Sequence, residues 1–297
     1  FDTLQEVLHE VADIPRREPD DLGDVAFFPT VGTAVFRSGW REDDFVFMFR
    51  AGPFFNHQHM DQGTFSVADH GTVFIEERYD GEHHYYDDPL YQSHTIQTVS
   101  HNTVLVNRDP QSQITGDPYG FAPGMDRHAV FASHLDSPRF AFASGELSGV
   151  YRERVNRLRR SVLFLKPRTV VIVDEIVPSG EPVEASLLFH TRAKRDIYPD
   201  RGFTRFGSGG PALFLYHLAP EEPLREIVTD PHFLCQYREP NLVERGRLVV
   251  SADVPPEGRV LAHLLAATRD GSAPGVFVTS EGGTAGANVD VDGFKGV

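Results

Sequence analysis

Cysteine is all but missing from this chain: Cys235 stands alone among 297 residues. One thiol closes no intramolecular disulfide and builds no cysteine-based zinc knuckle, so neither staple replaces a hydrophobic core. Long apolar runs are missing too. No stretch approaches the ~18 residues that a membrane-spanning helix needs, which argues against a helical membrane protein. Positive charge is scarce, with 28 Lys and Arg against 43 Asp and Glu, and the formal net charge is −15. Phosphate binding needs a basic footprint, so a nucleic-acid partner is not expected. There is no Asn-x-Ser/Thr sequon, no internal repeat and no low-complexity tract. No signal peptide opens the chain, and the start at Phe1 reads as a mature or trimmed fragment. A lone cysteine suits the cytoplasm, and suits equally a periplasmic or secreted protein with a good core.

What is present is a strand pattern. Hydrophobic residues make up 40% of the chain, and the 23 phenylalanines fall largely in alternating runs. Residues 2–13 carry Leu4, Val7, Leu8 and Val11 at helical spacing, ended by Pro15, and a charged linker follows. From about residue 30 the period becomes two. Strands are expected at 33–37, 44–50, 63–68, 72–78, 102–107, 128–134, 139–146, 151–165 and 169–176. The series continues at 183–191, 212–218, 247–253, 259–268 and 275–281. Turn residues separate most of them, which predicts an all-β fold, a large antiparallel β-sandwich of stacked sheets. The hairpin 161–173 is the clearest unit, and its apolar runs predict strands buried on both faces. The tail around Gly282, Gly283 and Gly286 reads as loose.

The chemistry concentrates in Asn56-His57-Gln58-His59-Met60-Asp61 and in Ser100-His101-Asn102-Thr103. If the first segment is extended, His57, His59 and Asp61 share one face, because strand side chains alternate. Imidazole is the commonest side-chain metal ligand and titrates near neutrality. Glu76 and Glu77 end the strand at Thr72, and the hairpin through Asp69-His70-Gly71 brings them back toward the His57–Asp61 segment. Two imidazoles and one carboxylate, with a position left for water, suit zinc. The plainer reading also stands: 14 histidines make chance pairs, His83-His84 among them, and strand-end glutamates are usually solvated. Tyr79, Tyr85, Tyr86 and Tyr91 are packing residues or a sugar-stacking surface. The run Arg152, Arg154, Arg157, Arg159 and Arg160 reads as a solvated strand face. His128, His134, His190, His217 and His263 read as structural.

These segments, in this order, resemble the β-sandwich part of the heparinase II/III-like polysaccharide lyases, a group that includes heparin/heparan sulfate lyases and oligoalginate lyases. The resemblance covers residues about 30–190. It rests on Arg37-Ser-Gly-Trp40, Asn56–Asp61 with Phe65, Gly71–Glu77, Gln97–Val104 with Gln111 or Gln113, and Arg160–Asp174. It implies that His59, Glu77 and His101 hold a structural zinc, with Glu77 where the family has an aspartate. It implies that His57 neutralises the substrate carboxylate, that Tyr86, or in its place Tyr85, is the sandwich tyrosine that contacts substrate, with Tyr86 counted among the catalytic residues, and that Tyr85 and Asn102 bind substrate. Relatives carry an N-terminal α/α toroid that supplies the catalytic tyrosine and an Asn/His pair. Residues 1–29 would then be the end of an absent toroid, and residues 30–297 the sandwich.

The implied activity is β-elimination on an anionic uronic-acid polysaccharide or oligosaccharide, in the periplasm or outside the cell, with this chain contributing half of the cleft. A charge of −15 repels highly sulfated heparin at long range and favours a less charged uronate polymer such as alginate over a sulfated glycosaminoglycan. Two alternatives remain: a non-catalytic carbohydrate-binding or scaffold sandwich with a metal site, and a self-contained metal enzyme with cupin-like use of His57, His59, Glu77 and His101.

Overall fold

The computed structural model describes residues 19–54, 59–76, 89, 91–114, 128–151, 153–220, 223–229, 246–281, 284–291 and 294–295. Strands are numbered in chain order. A meander of β1 (Val25–Phe28), β2 (Thr33–Arg37), β3 (Val46–Arg50), β4 (Phe65–Asp69) and β5 (Thr72–Ile75) forms a five-stranded sheet. A second sheet runs in the order β15 (Leu224–Thr229), β16 (Gly246–Val254), β11 (Val183–Thr191), β6 (Val104–Val106). The largest sheet has eight strands. Its order is β12 (Arg195–Tyr198), β13 (Phe203–Phe206), β14 (Ala212–Ala219), β17 (Arg259–Thr268), β10 (Thr169–Pro178), β9 (Val155–Leu165), β8 (Phe140–Glu146), β7 (Val130–Asp136). A small sheet of β18 (Gly275–Glu281), β19 (Thr284–Val291) and β20 (Phe294–Lys295) completes the set. All pairings are antiparallel.

One face of the eight-stranded sheet packs on the five- and four-stranded sheets, which lie side by side. The alternation of β9 sends Leu158, Val162 and Phe164 inward, and that of β10 sends Val170, Ile172 and Ile176 the same way. Phenylalanine rings join the layers: Phe164 stacks on Phe36 at 5.7 Å and on Phe45 at 5.6 Å. Offset stacking of this kind adds specificity to the area each ring buries. The two smaller sheets meet where β5 runs into the end of β11. There the Glu76 amide donates to the His190 carbonyl at 3.1 Å, and Phe65 meets Phe189 edge-on at 5.6 Å.

The strands expected from alternation are present, with ends shifted by a few residues. The hairpin 161–173 forms, with Leu165 opposite Thr169. Its burial is asymmetric, however. The inner face is sealed, while Val171 and Val173 are only half-buried against a smaller cluster of Phe214, Tyr216, Leu264 and Val276. Six strands without clear alternation went unanticipated: β1, β12, β13, β15, β19 and β20, the last two in the tail expected to be loose. Because β1 pairs with β2, the sandwich begins by Val25, ahead of the expected boundary at residue 30. The helix expected over residues 2–13 lies outside the described residues. Among the described residues no helix is long and apolar enough to cross a membrane.

His217 of β14 and His263 of β17 are register partners on the inner face, as their strand alternation requires. Their Nδ1 atoms lie 3.2 Å apart. Burial drives both imidazoles far below the ordinary histidine value. His217 falls to about 2, with His263 and Arg225 adding to the effect, and His263 falls to about 3, with Arg160 adding. Both rings are neutral in the fold, whereas the unfolded chain titrates them near 6.5. Below that pH the unfolded state binds protons that the folded state refuses, so stability is full above about 6.5 and is lost progressively toward about 3. Urea midpoints are therefore expected to fall between pH ~7 and ~4, with a flatter dependence in His217→Leu, which removes one of the two proton sites.

Candidate functional site

At the seam between the two smaller sheets, one loop arrives from β3 and a second leads into β6. The first is described from His59 to Thr64. It ends in a turn: the Thr64 amide donates to the Asp61 carbonyl at 3.0 Å, and Gly63 has φ +87°. A side chain at Gly63 would also meet Leu147 at 2.6 Å, so glycine is required there twice over. Asp61, expected on the histidine face, instead pairs with Arg50 at 3.1 Å and accepts from Gln62 at 3.0 Å. The second loop opens with a π-helical turn, Tyr91–Thr95, and a 3-10 turn, Thr98–Ser100. The Met60 amide donates to the Ile96 carbonyl at 2.7 Å, which ties the residue after His59 to this loop.

The two loops bring His59 and His101 together. Their ring centres are 5.2 Å apart and the planes are inclined by 54°. Tyr91 presents its edge to His59 at 6.0 Å. His59 is half-buried and His101 is buried. Two imidazoles bonded to one tetrahedral zinc at about 2.0–2.1 Å bring their ring centres to roughly 5 Å, so this pair fits two positions of such a site. Glu77, the expected third donor, lies outside the described residues, as do His57, Tyr85 and Tyr86. Its neighbour Glu76 is described: the backbone carbonyl accepts from Asn102 Nδ2 at 2.8 Å. The Glu76 carboxylate itself pairs with Arg192 at 3.1 Å. Among the described residues no group of three His, Cys, Asp or Glu side chains is arranged to hold a metal.

Beneath the histidines lies a buried polar network. The Gln62 carbonyl accepts from Thr103 Oγ1 and from Gln113 Nε2, each at 2.7 Å, and the Gln62 amide donates to Gln113 Oε1 at 3.0 Å. Tyr151 OH donates to the Val104 carbonyl at 2.7 Å and accepts from Gln113 at 2.9 Å, and burial pushes its phenol above the ordinary tyrosine value. Gln113 is thus the interior member of the expected pair, while Gln111 is exposed. Arg160 lies deepest. Its Nε and Nη2 donate to the two oxygens of Asp174 at 2.7 and 2.8 Å, and its Nη1 donates to the carbonyls of Gly63 at 2.5 Å and Asn102 at 3.1 Å.

One expectation is corrected here. Arg160 was placed on a solvated face, yet it is fully buried, because its position on β9 continues the inward alternation of Leu158 and Val162. Arg157 and Arg159 do face outward, paired with Glu175 and Glu146. Arg152 lies outside the described residues. The one sequence signal for Arg160 was an acidic residue, Asp174, directly opposite it across the hairpin. Asn102, expected to meet substrate, is buried with its amide fully engaged. Nδ2 donates to Phe65 O at 2.9 Å and to Glu76 O, while Oδ1 accepts from the His190 amide at 2.7 Å. Its role is to join β4, β5 and β11. Asn102→Ala would remove these three hydrogen bonds, and is expected to cost about 2–4 kcal/mol in urea unfolding.

The comparisons with known proteins agree with this architecture. The family model described as "Heparinase II/III-like, C-terminal" matches residues 20–262. The heparan sulfate lyase HepC from Pedobacter heparinus superposes with a TM-score of 0.72 at 14% identity, covering 90% of this chain and 41% of that one. A heparinase III superposes with a TM-score of 0.71 at 17% identity, covering 97% and 43%. A further heparinase III structure gives 0.67 at 15% identity, covering 92% and 43%. No curated protein matches the chain. The chain spans about two fifths of the length of these solved structures. From the strand order inward to the paired histidines at the seam, this chain belongs to the heparinase II/III-like family, of which it carries the C-terminal β-sandwich domain.

Proposed function

We propose that this chain forms the β-sandwich side of the cleft of a polysaccharide lyase acting on a uronic-acid glycan, with a zinc ion held by His59, Glu77 and His101. The observation that carries the reading is the 5.2 Å approach of His59 and His101 inside a domain of this family. The two rings come from loops about forty residues apart, and a dedicated network holds them there. A zinc ion, when bound, would supply a fixed positive charge and a cross-link between the loops.

The chemistry proposed is β-elimination. The C5–H bond of the uronate breaks, its electron pair forms the C4=C5 double bond, and the C4–O bond breaks to release the adjoining sugar. The C5 proton is weakly acidic while the neighbouring carboxylate carries full charge. His57, two residues before His59, is assigned the neutralisation of that carboxylate, which stabilises the enolate-like transition state. A tyrosine is assigned removal of the C5 proton and protonation of the leaving oxygen. A preceding helical toroid is proposed to supply that tyrosine, and Tyr86, or in its place Tyr85, is this chain's own candidate for a tyrosine that contacts substrate at the cleft. The net charge of −15 favours a sparsely sulfated or unsulfated uronate, alginate included, as substrate. That the similar solved structures include heparan sulfate lyases keeps glycosaminoglycans among the polymers to be tested. Such substrates are extracellular, so the reading also proposes a periplasmic or secreted protein.

His59→Ala and His101→Ala are each expected to abolish zinc binding and lower the melting temperature. Full occupancy by elemental analysis in both variants would overturn the metal assignment. His57→Ala is expected to keep zinc and stability but to remove turnover in the toroid-containing protein, followed as ultraviolet absorbance of the unsaturated product on alginate, heparan sulfate and heparin. Absence of turnover on every uronate polymer, with binding retained, would favour a carbohydrate-binding module.

A further inference from the structure

We propose that Arg160, steered by Asp174, is the positioning residue that sets the separation of His59 and His101. The inference goes beyond the metal reading and rests on it only for its functional consequence.

Arg160 sits on β9 and Asp174 on β10, opposite each other in the ladder of the eight-stranded sheet. Their bidentate contact fixes the plane of the guanidinium and leaves Nη1 directed at the seam. That single nitrogen donates to two carbonyls, one in each loop. Gly63 follows His59 by four residues within its turn, and Asn102 directly follows His101. The loops are therefore referenced to one atom, which is itself referenced to the centre of the largest sheet. Gln113 and Thr103 add further ties between the same loops and reach Tyr151 OH in the connection between β8 and β9, whereas Arg160 ties them to the β9–β10 ladder itself. Both side chains of the ion pair are fully buried. A lysine would keep the charge but has neither the planar fork nor enough directed donors for a carboxylate and two carbonyls.

The test uses the 297-residue chain with Arg160→Lys, with the milder Asp174→Asn should the first variant fail to fold, and with Phe164→Leu as the comparison. Phe164 lies on the same strand and inner face but packs on Phe36 and Phe45, away from both loops. Zinc affinity is measured by chelator competition, and backbone hydrogen exchange is followed without metal. Arg160→Lys is expected to weaken zinc binding by about 10–100-fold, while Phe164→Leu lowers the melting temperature and leaves zinc affinity unchanged. In the metal-free protein, the amides of Gln62, Thr64, Asn102 and Thr103 are expected to exchange faster together in Arg160→Lys, with the β10–β17 ladder still protected. If the parent chain binds zinc and Arg160→Lys binds it equally well, the positioning role is overturned and the metal reading survives. If the parent chain binds no zinc, the metal reading fails and exchange alone decides: joint opening of the two loops supports the positioning role, and unchanged protection overturns it.

Discussion

A buried arginine–aspartate pair holds the centre of this sandwich. Removing both charges from water carries a large desolvation cost, and an ion pair in a protein interior offsets it only when its geometry is good and the remaining donors are satisfied. Arg160 and Asp174 meet those conditions. Two parallel hydrogen bonds join them, and the third nitrogen of the guanidinium donates to two backbone carbonyls. Those carbonyls belong to the loops that carry His59 and His101. The pair also reaches the rest of the interior, since the charge on Arg160 helps keep His263 neutral. Breaking one partner would leave a charge stranded between the layers and the loops without their common reference.

The site arises where a layer of the sandwich is discontinuous. The second layer consists of two sheets abutting at the end of β11. Because β6 has only three residues, the far end of β11 is left to contact the end of β5 and the loop before β6. Irregular backbone at such a seam leaves buried N–H and C=O groups that no ladder satisfies. Asn102, Gln62, Gln113, Thr103 and Tyr151 supply the missing partners. The same irregularity allows side chains from distant segments to converge, which a regular sheet, with its fixed alternation, does not. Stability and site geometry therefore depend on the same hydrogen bonds.

Charge is divided in a similar way. The outward arginines of β9 pair with acidic residues on neighbouring strands, Arg157 with Glu175 and Arg159 with Glu146. Basic groups at this surface are largely consumed in local pairs, in keeping with the acid excess of the whole chain. Recognition of an anionic glycan here would then rest on a few directed groups in a cleft and little on long-range attraction.

How much could be read in advance follows from range. Alternation is a local signal, so β2, β9, β10, β11 and β17 were legible with ends good to a few residues. Strands such as Arg195–Tyr198 and Leu224–Thr229 were not, because their side chains are mixed and only a neighbouring strand makes them extended. The pairing of His59 with His101 was legible as two motifs in order. The turn that follows His59 was not, since it depends on the positive φ of Gly63 and on Arg50 capturing Asp61. By itself, the order of residues determined the all-β class and the family, because period, composition and short motifs are properties of the chain alone. Only the tertiary structure decided that Arg160 is interior and that Asn102 supports the fold. The sign of a residue's contribution depends on which groups from elsewhere surround it, and those groups arrive only when the sheets pack.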